Sequence, residues 1–276
     1  MFNNQMQSSN PALTRQDAFN EFYGEVAGTV KADVTTLPGV VNKTALLVGV
    51  AVIAGGGGYA LAEVFPSAMM LSWIITLVLS FGLYFVIAGN PRYARVLAVP
   101  YAAVEGVFLG ALTATLDGWL KSADMVATGG LALQAFIITI SIMLAMLGLY
   151  YTRILQPTKL FRSVVMTLTA GIFIAYMLSM LGRFLFGAGL PFLELGSAFQ
   201  GGYAPMIGLG LNVLILGVAS MWLIIDFGLV EEKVNAGAPK YMEWYCGFAL
   251  IVTLAWIYYE AVKLAFRLAL LFGARE

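Results

Sequence analysis

The chain has 276 residues, 61% of them hydrophobic and 11% charged, with 15 basic and 15 acidic side chains and no histidine. Soluble domains are nearer half apolar and a quarter charged, so this composition predicts an all-α integral membrane protein, with the lipid bilayer as its solvent. Zero net charge argues against a nucleic-acid partner, and the missing histidine excludes Ser-His-Asp and Cys-His hydrolysis, imidazole metal sites and imidazole pH switches.

Residues 1–40 are polar and mixed, without the basic cap and short apolar run of a cleavable signal peptide. They read as a weakly ordered cytoplasmic tail in which Phe19, Phe22 and Tyr23 are candidates for touching the membrane interface. The first span then does the targeting and stays in place. Residues 41–276 read as one seven-helix transmembrane domain.

A span needs roughly 20 mostly apolar residues. Seven stretches qualify: Ala45–Ala62, Met69–Gly89, Val96–Leu116, Leu131–Tyr150, Ser163–Leu181, Ala204–Leu229 and Cys246–Phe272. All should be helices, because an open sheet cannot satisfy its backbone in lipid. Gly55 to Gly58 in the first span, and Gly106 and Gly110 in the third, read as small residues that let helices approach closely. Short connections around Pro91, Pro157 and Pro239 pair a proline with a nearby cation, which marks turns and helix starts. The lone cysteine, Cys246, excludes an intrachain disulfide and a thiolate metal cluster, and reads as a small apolar residue. No metal site or cofactor is expected.

Basic residues set orientation. Arg15, Lys31, Lys43, Arg92, Arg95, Arg153, Lys159, Arg162, Lys233 and Lys240 fall on one side, against Lys121 and Arg183 on the other. The N-terminus is therefore expected inside and the C-terminus outside. Lys263, Arg267 and Arg275 crowd the C-terminal end against that rule, so the seventh helix either crosses despite them or bends back.

Ionisable residues within spans are functional candidates, since a charge at mid-bilayer costs about 2.5–3.5 kcal/mol on insertion scales. Glu105 reads equally as a structural anchor or a functional group. Asp226 reads either as the solvated end of the sixth helix, beside Glu231 and Glu232, or as half of a proton-sensing pair. Glu260 shares a helical face with Lys263, three residues on, which allows a neutralised ion pair. A carboxyl that can gain and lose a proton is also a candidate switch in a chain without histidine.

Several segments resemble the Bax inhibitor family of transmembrane proteins, in a bacterial form. They are Val104-Glu105-Gly106-Val107-Phe108-Leu109-Gly110, Ile225-Asp226, Gly237-Ala238-Pro239-Lys240-Tyr241-Met242-Glu243-Trp244-Tyr245, and Trp256-Ile257-Tyr258-Tyr259-Glu260-Ala261-Val262-Lys263. Their order and spacing carry the resemblance over roughly residues 40–272, with the tail outside it. The resemblance implies a seven-helix bundle with the last helix central, in a bacterial plasma membrane. It implies a passive, pH-sensitive calcium or other cation leak, gated by a carboxylate pair that shares a proton, here Asp226 and Glu260. It implies a latch at the end of the second helix, here Arg92 or Arg95. The seventh-span acid is Glu where the family usually has Asp, and the second span carries no acid.

Counting from a turn near Gly237, Asp226 lies 11 residues before and Glu260 lies 23 after. At about 1.5 Å per residue that is a mismatch near 18 Å. The pair meets only if part of Pro239–Tyr245 lies in the interface or the sixth helix is shifted.

Two other functions compete. A membrane interaction module could regulate a membrane protease or stress response through its loops and tail, without the buried acids. An intramembrane enzyme would need a Ser-Lys dyad or a two-Asp site, and Ser220, Lys263 and Asp226 lack a recognisable context for either, so no enzymatic activity is expected.

Overall fold

The computed structural model describes residues 34–65, 69–125, 127, 129–190, 193–199 and 203–272. Among these, seven helices are long and apolar enough to span a membrane. They are α1 (Leu37–Val64), α2 (Met69–Gly89), α3 (Ala94–Ser122), α4 (Leu131–Tyr151), α5 (Lys159–Phe186), α6 (Ala204–Asn235) and α7 (Met242–Phe272). The expectations for Arg15, Phe19, Phe22, Tyr23, Lys31 and Arg275 lie outside the described residues.

Most helices run past the apolar stretches that announce them, and at α1 and α5 a polar cap sets the start. Thr36 caps α1, its hydroxyl accepting from the Gly39 amide, with Pro38 in the first turn. That places the start eight residues before Ala45. Thr158 caps α5 by accepting from the Phe161 amide. Both are N-cap chemistry, in which a side-chain oxygen satisfies an orphan N–H. The left-handed Gly187 (φ 69°) closes α5, a conformation that favours glycine.

α7 is the centre of the bundle, packed against α1, α3, α4 and α6. α5 is the least buried of the seven helices and packs mainly along α6. Ala255, Ile257, Ala261, Val262, Ala265 and Phe266 of α7 are all buried. α7 is one continuous helix of 31 residues, about 46 Å long; it does not bend back and is long enough to cross a membrane.

Close approach of α1 and α3 depends on glycine. A Cβ on Gly110 would strike the Gly55 carbonyl oxygen, and one on Gly106 the Ala51 carbonyl. Gly58 sits on Val107, where a Cβ would come within 2.8 Å of the Val107 Cα. Gly56 and Gly57, in the same run, face open space.

Both ends of the bundle are tied. At one end the Thr35 amide donates to the Ala238 carbonyl (2.7 Å) and Arg153 pairs with Glu231 (2.8 Å). Glu243, in the first turn of α7, accepts from the Thr36 amide (3.1 Å) and hydroxyl (3.0 Å), which docks the start of α1. At the opposite end Lys121 pairs with Glu63 (3.9 Å) and Arg183 with Glu194 (2.7 Å). Lys263 and Arg267 are buried. They are partners inside the bundle rather than charges flanking a loop, which explains why they depart from the basic-residue bias.

Candidate functional site

On α7, Cys246, Thr253, Glu260 and Arg267 recur every seven residues. Seven residues are two turns less about 20°, so the four lie along one stripe of the helix. Asp226 and Asn212 of α6 face this stripe. Burial requires polar partners, and Thr253, Glu260, Asn212 and Arg267 all hydrogen-bond within the bundle.

The Thr253 hydroxyl donates to Asp226 Oδ2 (2.6 Å). Asp226 is only 7% exposed. Its helix continues nine residues further, to Asn235, which removes the reading of Asp226 as a solvated helix end.

Two turns along α7, Asn212 Nδ2 donates to Glu260 Oε2 (2.6 Å) and to the Glu260 carbonyl oxygen (3.1 Å). Lys263 Nζ donates to both Glu260 carboxyl oxygens (3.1 and 3.0 Å) and to the Tyr176 hydroxyl (3.0 Å). The ammonium also lies 4.8 Å from the Tyr259 ring centre and 5.5 Å from that of Tyr176. Glu260 and Lys263 are 1% and 2% exposed. Further along, Arg267 donates to the Glu194 carbonyl oxygen (3.0 Å).

The structure does not bring Asp226 and Glu260 together as a proton-sharing pair. Asp226 meets α7 at Thr253, seven residues before Glu260 and on the order of 10 Å away along the axis. The turn between α6 and α7 is short, from Ala236 to Tyr241, and the helices run back antiparallel from it. Neither an interfacial detour nor a shift of α6 makes up the mismatch. Glu260 instead forms the intrahelical ion pair with Lys263, one of the two readings its spacing allowed.

Arg92 and Arg95 are exposed. The Arg92 guanidinium lies 6.0 Å from the Tyr241 ring centre, and among the described residues neither arginine is ion-paired with Asp226. Glu105 accepts from the Ser80 hydroxyl (2.7 Å) and so joins α3 to α2, the anchoring role. The Ser220 hydroxyl donates to the Leu216 carbonyl, while Lys263 bonds to Glu260 and Tyr176, so Ser220 and Lys263 do not pair. Among the described residues no group of three acidic or sulfur ligands is placed to hold a metal.

Thr253, Asn212, Tyr176 and Glu243 were not legible as site residues from chemistry alone. The seven-residue recurrence with Glu260 points to Thr253. Asn212, an amide inside Leu209-Gly210-Leu211-Asn212-Val213-Leu214, carries the same signal that singled out the acids.

A family model described as Bax inhibitor 1 like matches residues 3–269. The match includes most of the N-terminal tail, which the resemblance had placed outside the family. No curated protein and no solved structure matches the chain.

Proposed function

The chain belongs to the Bax inhibitor 1 like family, and from that premise we propose that it is a passive cation leak of the Bax inhibitor type, with calcium as the expected permeant ion. The observation that carries this reading is the buried acid Asp226 bonded to Thr253 inside the bundle. A membrane-embedded acid is expensive and faces a bundle interior or water. Carboxylate and hydroxyl oxygens are the ligands hard cations take, and lining side chains set ion selectivity. The stripe from Asp226 through Glu260 to Glu194 offers polar groups along about half of α7.

The pH-sensing element in this proposal is Asp226 with its Thr253 hydroxyl, not a carboxylate pair. A protonated carboxyl is neutral and needs no ion. An ionised one in a low-dielectric interior demands water or a cation beside it. Flux should therefore rise as pH takes Asp226 to its charged form. Asp226→Asn, in purified protein in liposomes loaded with a calcium dye, should flatten that pH dependence. It should also lower flux at the permissive pH by at least about tenfold, the equivalent of ~1.4 kcal/mol. Full pH-dependent flux in the variant would remove Asp226 from the mechanism. No flux from the wild-type chain at any pH would overturn the leak itself and favour an interaction module acting on a membrane protease.

The proposal places the protein in a bacterial inner membrane with its N-terminus cytoplasmic, supported by the ten-to-two basic bias. In the Cys246→Ser background, cysteines introduced at Asp124 and Lys240 should react with impermeant maleimide from opposite sides, Lys240 only after the membrane is opened. Labelling of Lys240→Cys in intact cells would invert the topology.

A further inference from the structure

We propose that the Lys263 ammonium is a built-in cation that occupies, and so blocks, a cation-binding site formed by Glu260, Tyr176, Tyr259 and Asn212 in the polar stripe. The inference rests on the cation-leak reading and goes beyond it by naming what restrains the leak.

Three observations meet here. Both carboxyl oxygens of Glu260 and the Tyr176 hydroxyl converge on one nitrogen within 3.1 Å. Two tyrosine rings flank that nitrogen at cation–π distance. The Asn212 side chain, 3% exposed, spends its amide nitrogen on Glu260 while its carbonyl oxygen has no hydrogen-bond partner. Buried carbonyl oxygens seldom go without a partner, and one beside the Glu260 carboxylate offers a further oxygen to a cation. The ligand set is thus oxygen-rich and anionic, which suits a hard cation such as calcium, and the chain fills it with its own amine.

The position gives the amine its effect. Glu260 lies between Thr253, which holds Asp226, and Arg267 on the same stripe. A cation moving along that stripe meets a fixed positive charge in a low-dielectric setting, where like charges repel strongly. Transit requires the ammonium to leave Glu260, so Lys263 keeps the leak slow. The guanidinium of Arg267, further along the stripe, donates to the Glu194 carbonyl oxygen.

The test uses calcium flux into liposomes, together with terbium luminescence excited through Tyr176 and Tyr259, with the trivalent lanthanide as the probe for an oxygen site. Lys263→Gln should raise flux at least tenfold over wild type and should bind terbium. Lys263→Arg keeps a positive charge in the site and should not bind terbium. Removing one partner of a buried ion pair can unfold a protein, so the neutral pair Glu260→Gln/Lys263→Met is the second variant. It should also exceed wild-type flux, because the ammonium is gone, but should not bind terbium, because the carboxylate is gone too. If Lys263→Gln stays folded and neither leaks faster nor binds terbium, the proposal is wrong. If it does not fold, wild-type flux in the neutral pair overturns the proposal. Terbium binding by Lys263→Gln with no flux from any variant or from wild type supports the occupied site and overturns the leak reading instead.

Discussion

Gly110→Leu should leave little or no folded protein. A side chain at this position would run into the Gly55 carbonyl oxygen and its own carbonyl carbon on the facing helix. Backbone cannot swing aside as a flexible side chain can, so α1 and α3 would have to separate along their length. Membrane helices have no strong hydrophobic drive to re-associate, and they depend on close van der Waals fit between small residues. Over-packing of an ordinary core costs about 1–3 kcal/mol. A backbone collision between two long helices should exceed that and reach the roughly 4–5 kcal/mol range reserved for severe disruptions. Gly56→Leu is the matched control, because Gly56 faces open space within the same helix. Monodisperse yield and thermal unfolding in detergent should separate the two. Equal behaviour would show that the α1–α3 contact does not depend on Gly110.

Glu260→Ala should be the second large loss, and a partner change should repair it. The substitution strands the Lys263 ammonium in the bundle, 2% exposed and left with only the Tyr176 hydroxyl as acceptor. It also removes the side-chain acceptor of the Asn212 amide, leaving it the backbone carbonyl of residue 260. Breaking one side of a buried ion pair costs about 3–5 kcal/mol, whereas replacing both sides with groups of similar volume is close to neutral. Glu260→Gln/Lys263→Met should therefore recover most of the stability, within about 1–2 kcal/mol of wild type. A double-mutant cycle on unfolding in detergent gives the coupling directly. Additive losses would mean that the two charges are not energetically joined.

The seven spans were legible in the sequence because length and apolarity are local properties. A run of about 20 apolar residues has one solution in lipid, a helix that bonds its own backbone. The boundaries were less legible where polar caps extend a helix beyond its apolar run, as Thr36 does for α1 and Thr158 for α5. The glycine contacts were half legible. The run Gly55 to Gly58 marked a close approach, but only the helix phase says that Gly55 and Gly58 touch α3 while Gly56 and Gly57 do not.

The sequence by itself determined that this is a helical membrane protein with costly acids at Asp226, Glu260 and Glu105, and that Lys263 can reach Glu260. That last pairing follows from a three-residue step on one helix. Only the tertiary structure decided which groups meet across helices. Asp226 meets Thr253 rather than Glu260, Asn212 meets Glu260, and Arg267 reaches the Glu194 carbonyl. Such meetings depend on the axial register of two helices to within one turn, about 5.4 Å, and on their rotation, which changes by about 100° per residue. A shift of one or two residues at a helix end changes both. Register and rotation are therefore settled by how α7 packs against four neighbours at once, and no single segment of the chain contains that information.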